Sequence, residues 1–286
     1  MPAKCIPLRY AHIKNINCKQ FYALLHCINP TVAKRKKQKS AKNIFVIIVL
    51  LPAIAMAAYY GFRYLYKPKF VHYPGFGIDI PVNYTIHGID VSRHQSTIDW
   101  GDVKAMQVKD IKISFTFMKA TEGVQNVDDQ FRDNWQAAKD EAIPRGAYHF
   151  FVPSKSGKLQ AQNFISTVRL RKGDLPPVLD IEQINNTSIA KLQQGITEWL
   201  TTVEAYYNVK PIIYTNASFY TSFLGDKFDG YPLWVAHYLV KDKPRIQRTW
   251  TFWQHNETGQ VNGIESYVDF NVFNGDSTAF KELLIK

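Results

Sequence analysis

From Thr85 to the C-terminus the chain repeats one pattern, in which a short apolar run alternates with an amphipathic stretch. Nothing else in the sequence restricts the fold as much. Strands are expected at 86–91, 112–119, 146–151, 177–182, 211–215, 232–238, 250–255 and 267–273, with helices near 99–107, 129–141, 157–170, 188–207 and 217–224. Strands that alternate with helices argue for a parallel sheet. Eight strands in about 200 residues suit closure into a barrel. The last three strands leave little room for helices between them. The expected fold is therefore α/β, an irregular TIM-like barrel of five β/α units followed by three loop-joined strands, (β/α)5(β)3, over residues 85–286. No repeat of the solenoid kind is present.

The N-terminal part has a different character. Residues 1–69 hold 13 Lys and Arg and no Asp or Glu, and the rest of the chain holds 22 against 24. The net charge of +11 thus belongs to the first segment, and a nucleic-acid partner for the main domain loses its electrostatic basis. Residues 1–43 form a basic segment. Residues 44–62 are 19 residues without a charge, and 44–66 are expected to form a transmembrane helix or signal anchor. Six Lys and Arg stand before the run (Lys34 to Lys42) and three after it (Arg63, Lys67, Lys69), which places the N-terminus inside and the main domain outside. The rival is a signal peptide cleaved at Ala55-Met56-Ala57. Either way the domain is exported to the periplasm or the cell exterior, tethered or free. Residues 1–31 carry no recognisable pattern, which suggests a start near Val32. Residues 67–84, with Pro68, Pro74, Gly75, Gly77 and Pro81, read as a linker. Cys5, Cys18 and Cys27 all precede residue 30, so the main domain has no disulfide, thiolate metal site or cysteine nucleophile.

The chemistry is most legible in Pro177-Val178-Leu179-Asp180-Ile181-Glu182. Residues two apart on a strand share a face, so Asp180 and Glu182 face together and Leu179 and Ile181 face the other way. The apolar pair belongs against the helices and the carboxylates against the lumen, near the C-terminal end of the strand where barrel active sites lie. Two carboxylates in a partly buried place raise each other's pKa, and a raised carboxyl suits a general acid. The competing reading is a buried ion-pair network. Asp90 on the first strand and Asp269 on the last weaken it, because those strands are neighbours in a closed barrel and few basic residues accompany the four acids. Such a cluster also suits Mg²⁺ or Ca²⁺. No Walker-type loop or His-x-x-x-His pair supports that, and no metal or cofactor is expected. His149 and His237 read as hydrogen-bonding or core histidines. Tyr148, Phe150, Tyr214, Trp234, Tyr238 and Trp253 gather near the same strand ends; their faces could pack on sugar rings, although most aromatics are simply core.

These residues resemble the glycoside hydrolase family 25 lysozymes, the Chalaropsis type, across 85–286. The landmarks occur in order: His87-Gly88-Ile89-Asp90-Val91-Ser92, Ile98-Asp99-Trp100, Lys119-Ala120-Thr121-Glu122-Gly123, Gly146-Ala147-Tyr148-His149-Phe150, Pro177 to Glu182, Ile212-Ile213-Tyr214-Thr215, Trp253-Gln254 and Val268-Asp269-Phe270-Asn271. The resemblance implies cleavage of the β-1,4 bond between N-acetylmuramic acid and N-acetylglucosamine in peptidoglycan. It implies Glu182 as general acid and Asp180 as the group that orients or stabilises the 2-acetamido group. Asp90 and Asp269 complete the acidic cluster, and Tyr148, Tyr214, Trp234, Trp253, Gln254 and Glu122 are candidate substrate contacts. The implied partner is the peptidoglycan strand, met by a monomer. One departure is Arg93-His94-Gln95, where many members have His-Trp-Gln; an arginine there is expected to alter sugar contacts or lower the pKa of Asp90. Two alternatives remain open, a non-catalytic wall-binding module and a chitin-directed glycosidase, and turnover of peptidoglycan against chitin separates them.

Overall fold

The structure, a computed structural model, describes residues 46–62, 69–240 and 242–286. The chain divides into two units, residues 1–67 and 68–286. Within the first, residues 46–62 are helical. Among the described residues no helix is long and apolar enough to cross a membrane. The expected transmembrane helix is thus not supported by the described residues. Residues 44, 45 and 63–66 of that expectation, and the basic segment 1–43, lie outside the described residues.

In the second unit all eight expected strands are present: β1 His87–Val91, β2 Ile111–Glu122, β3 Arg145–Phe150, β4 Val178–Asp180, β5 Ile212–Asn216, β6 Leu233–Ala236, β7 Phe252–Gly259 and β8 Val268–Phe273. Neighbours pair in chain order from β1 to β8, and β8 pairs with β1, so the sheet closes into a barrel. The pairings from β1 to β7 are parallel; β8 is antiparallel to both neighbours. A uniformly parallel sheet is therefore not what forms. The reason is length: residues 260–267 are too few for a crossover, so the chain can only turn back on itself.

Helices fill the first five connections, at Trp100–Ala105, Phe131–Asp140, Gly157–Thr167, Ile189–Tyr207 and a segment from Ala217 to Phe228 that passes from α into π and 3-10 turns. Local signals set their ends. Asp99, Ser156 and Ser188 each accept a hydrogen bond from a first-turn N–H, and Asn208 ends the longest helix in the left-handed conformation. That helix buries Leu192, Ile196, Trp199, Leu200 and Val203, one stripe at the 3.6-residue period, against the outside of the barrel.

Two apolar cores result. The larger lies between barrel and helices and holds Ile89, Leu179, Ile181, Ile213 and Val235. The smaller fills the lower lumen with Phe115, Phe117, Val178, Ile212, Trp234 and Phe252. Phe117 stacks on Trp234, with centroids 4.5 Å apart. Gly88 and Gly146 make room for these rings: a Cβ on Gly88 would lie 2.5 Å from Phe115, and one on Gly146 would lie 2.4 Å from Phe117.

Residues 70–81, expected to be linker, form an antiparallel hairpin of Phe70–Tyr73 and Ile78–Pro81. Phe76, Ile78 and Ile80 are buried in the outer core. The Pro and Gly between them are the turn of a hairpin whose apolar residues belong to the domain.

Candidate active site

The lumen changes character along its axis because side chains two apart on each strand stack in layers. Above Val178 stands Asp180, above Ile212 stands Tyr214, above Phe117 stands Lys119, and above Gly88 and Gly146 stand Asp90 and Tyr148. This upper layer opens as a cavity of about 230 Å³, lined by Asp90, Ser92, His94, Lys119, Tyr148, Phe150, Asp180, Glu182, Tyr214, Trp234, Tyr238, Gln254 and Asp269. It lies at the C-terminal ends of the parallel strands. All four acids singled out from the sequence meet there, as do Tyr148, Tyr214, Trp234 and Gln254.

Asp90 and Asp269 are direct partners in the β1–β8 register. Asp90 is buried. Its Oδ2 accepts from Gln254 Nε2 at 2.8 Å and from Asn271 Nδ2 at 2.7 Å. Neighbours fix the orientation of both amides. The Trp234 indole, a donor only, donates to Asn271 Oδ1 at 2.7 Å, and the Tyr214 hydroxyl donates to Gln254 Oε1 at 2.7 Å; the Tyr238 hydroxyl donates to the same Gln254 oxygen. These donors favour an ionised Asp90, but burial and the charge of Asp269 outweigh them and push its pKa well above the ordinary value. Burial also raises Asp269, to about 6.

Asp180 is buried at the end of β4, and its Oδ1 has no hydrogen-bond partner. Burial, then the charge of Glu182, hold its pKa well above the carboxylate range. Glu182 follows the strand and is exposed at the cavity mouth. Its pKa is raised by partial desolvation and held back by the Tyr214 hydroxyl and Lys119. Leu179 and Ile181 point into the outer core, as the alternation requires.

Three sequence expectations are corrected. Trp253 does not reach the cavity. It is buried on the outer face, with Nε1 donating to His237 O at 3.0 Å and its ring against Phe70, Tyr84 and Trp250; its neighbour Gln254 has the lumen side. Glu122 does not line the cavity either, but accepts from Lys119 Nζ at 2.7 Å. Arg93 is exposed and is not among the groups that shift Asp90, so the expected lowering of Asp90 does not follow, whereas His94 of the same turn lines the cavity.

Lys119 was not singled out as a site residue. Among the described residues it is the one Lys or Arg that lines the cavity, and its charge lowers both Asp180 and Glu182. Its register two residues above Phe117, on the lumen face, was the available signal. His149 is a core histidine, between Thr121 Oγ1 at 2.7 Å and Gln160 Oε1 at 3.2 Å, with its pKa pushed down to about 3 by burial. His237 Nδ1 accepts from Arg245 N at 3.1 Å, outside the cavity. Among the described residues no group of three or more His, Cys, Asp or Glu is disposed to hold a metal ion.

The arrangement provides a carboxyl of raised pKa at an open mouth, a buried carboxyl oxygen with no hydrogen-bond partner, and aromatic walls. Such a set transfers a proton to a leaving oxygen and positions an amide beside it. The model of glycosyl hydrolases family 25 matches residues 89–264. The "Uncharacterized protein YegX" of Escherichia coli K12 is 42% identical over 253 residues, 85% of this chain and 93% of its own length. Lysozyme M1 of Streptomyces globisporus is 38% identical over 209 residues, 67% of this chain and 69% of its own. The solved structure of a family 25 glycosyl hydrolase from Bacillus anthracis superposes with a TM-score of 0.67 at 32% identity, covering 72% of this chain and 96% of that one.

Proposed function

The chain belongs to glycosyl hydrolases family 25 and is a glycoside hydrolase, and we propose that it is a muramidase that cleaves the β-1,4 bond between N-acetylmuramic acid and N-acetylglucosamine in peptidoglycan. The observation that carries this reading is the meeting of Asp90, Asp180, Glu182 and Asp269 around one cavity with Lys119 as its single lining Lys or Arg among the described residues.

In this reading Glu182 is the general acid. Its raised pKa keeps the proton available closer to neutral pH, and its place at the mouth lets it reach the glycosidic oxygen. Asp180 accepts the N–H of the 2-acetamido group on its free Oδ1. That contact turns the acetamido oxygen toward the anomeric carbon, so the substrate itself stabilises the developing positive charge, the substrate-assisted variant of glycoside cleavage, with retention. Lys119 keeps Asp180 more acidic than burial alone would, and so favours its accepting form. Asp90, opposite Asp269, holds the floor of the site through Gln254 and Asn271. All these residues come from one chain, as a monomer requires.

Two alternatives make different demands. A wall-binding module has no use for a carboxyl of raised pKa at the cavity mouth, and a chitin-directed enzyme would turn over chitin. Purified peptidoglycan and chitin, each incubated with the full chain, distinguish them. Release of soluble fragments from peptidoglycan alone is expected. Equal or greater turnover of chitin, or binding without cleavage, overturns the reading.

The domain acts outside the cytoplasmic membrane, where peptidoglycan lies. The charge-free run 44–62 and the basic excess before it support a tether there. Protease added to spheroplasts should digest the domain and spare the N-terminal segment. Survival of the domain together with a cytosolic marker contradicts that orientation, and free domain in the exported fraction replaces the tether with cleavage near Ala57.

A further inference from the structure

The strand that carries Lys119 is bulged at its upper end. In the pairing of β2 with β3, Lys119 stands opposite Tyr148, Thr121 opposite His149 and Glu122 opposite Phe150, so Ala120 is an extra residue with no partner across the ladder. Residues three apart on a regular strand face opposite ways. Here the extra residue returns Glu122 to the face of Lys119, the lumen face on which Tyr148 and Phe150 also lie. Thr121 takes the outer face, where its Oγ1 meets His149 Nδ1 at 2.7 Å. A bulge beside an active site re-aims a side chain, and the side chain re-aimed by this one is Glu122.

The bulge decides what the Lys119 ammonium touches. Its Nζ lies 2.7 Å from Glu122 Oε2 and 4.7 Å from the centre of the Phe150 ring. Among the described residues Glu122 is the one carboxylate that forms an ion pair with it. Asp180 and Glu182 line the same cavity as Lys119 and form none, and Asp180 Oδ1 has no hydrogen-bond partner. An ammonium on a flexible four-carbon stem would otherwise be drawn to that buried oxygen, because a buried carboxylate without a cation is costly. Glu122 does not line the cavity, and its backbone is pinned by pairing with Asn126.

We propose that Glu122 is a positioning residue for the reaction: with the bulge and the Phe150 ring it holds the Lys119 ammonium back from Asp180 and Glu182, so that the cation neither occupies the oxygen that meets the 2-acetamido group nor pairs with the general acid. This deepens the muramidase reading and rests on it. The other titratable groups that line the cavity are His94 on the turn after β1, Asp90 on β1, Asp269 on β8, and the hydroxyls of Tyr148, Tyr214 and Tyr238. Asp90 is held by Gln254 and Asn271, and the Tyr214 and Tyr238 hydroxyls by Gln254. Asp128, beyond the cavity, accepts from the N–H groups of Arg93 and Gln130. From its place in the clamp Lys119 lowers both Asp180 and Glu182. Glu122 raises Asp180 but is not among the groups that shift Glu182, so its hold on the general acid passes through the lysine.

The test is the pH–rate profile of the full chain on purified peptidoglycan, with Glu122→Gln, Lys119→Met and the double variant. Glu122→Gln keeps the volume and removes the charge that clamps the lysine. The freed ammonium then moves toward the two acids, which shed their proton at lower pH. The basic limb should move to lower pH by about one pH unit, the low end of what an adjacent opposite charge does. That is opposite in direction to the effect of Lys119→Met. In the double variant the limb should lie where Lys119→Met alone puts it, because Glu122 has no lysine left to hold. A limb that stays in place in Glu122→Gln overturns the proposal, as does one that moves by the same amount with and without Lys119. If the native chain does not cleave peptidoglycan, the muramidase reading fails instead. The clamp is then judged by ¹³C NMR titration of the Glu182 carboxyl, assigned by its loss in Glu182→Gln. A lower titration midpoint in Glu122→Gln that vanishes in the Lys119→Met background supports the clamp, and an unmoved midpoint ends it. Should the double variant fail to fold, Glu122→Gln carries the test alone.

Discussion

Strand β4 is approached by one buried aspartate and ends on another, and the two are treated in opposite ways. Asp174 lies below the strand and accepts from Arg145 Nε at 3.0 Å, with both side chains almost completely buried. Arg145 in turn donates to Trp135 O and lies with its guanidinium 3.9 Å from the centre of the Trp135 ring. Asp180, at the upper end, is as deeply buried, has an oxygen with no partner, and faces other acids. A buried carboxylate that serves the fold comes with its cation. One that serves chemistry is left short of partners, and the substrate supplies them. The lower end of the barrel is thus the stable end, and the upper end gives up stability for reactivity.

The comparison breaks first at Glu182. Glu182→Gln keeps shape and hydrogen bonding but has no proton to give, so turnover of peptidoglycan should fall by about 10²–10⁴-fold, while the urea midpoint stays that of the native chain. Near-native turnover would remove Glu182 from its role. At the other end, Arg145→Met strands Asp174 in a buried place and should cost about 3–5 kcal/mol of stability, read from the same urea titration, with kcat retained in the molecules still folded. A stable Arg145→Met variant would show that Asp174 has other compensation and would erase the contrast.

Lys119 sharpens the picture. Its charge lowers Asp180 and Glu182, so Lys119→Met should raise both pKa values and move the basic limb of the pH–rate profile to higher pH. A limb that does not move means that neither acid governs it. The smallest effect is expected from Asp269→Asn. The pKa of Asp269 is raised from 3.8 to about 6, so the folded state binds its proton more tightly than the unfolded chain does. The stability this contributes is complete below about 3.8 and is lost as pH rises through about 6. Removing the carboxyl, and with it the charge that raises Asp90, should make stability fall less between pH 4 and 7 than in the native chain. Parallel stability curves for the two proteins would contradict the coupling.

Much of this was legible before the structure. Short apolar runs between amphipathic stretches located every barrel strand, and the alternation of faces within them brought Asp90, Asp180, Glu182 and Asp269 to one end of one lumen. The readings that failed did so where a local signal has two meanings. Pro74, Gly75 and Gly77 mark a turn, and only tertiary burial of Phe76 and Ile80 shows that the flanking residues are strands rather than linker. Trp253 and Gln254 are adjacent, so only one of them faces the lumen, and the large aromatic was the more attractive sugar contact although its size belongs to the outer core. Lys119 was hidden inside a long apolar strand, where its lumen register with Phe117 counted for more than its charge. The antiparallel turn of β8 follows from the short loop before it, not from the strand itself.

The central claim is that the upper lumen cleaves the bond on the reducing side of N-acetylmuramic acid, and the new reducing ends test it directly. Purified peptidoglycan digested by the full chain is reduced with borohydride and hydrolysed, and the amino alcohols are quantified. The account expects muramitol to accumulate in step with soluble fragments and to be absent when Glu182→Gln is used. Glucosaminitol in its place, or fragments without new reducing ends, would contradict it.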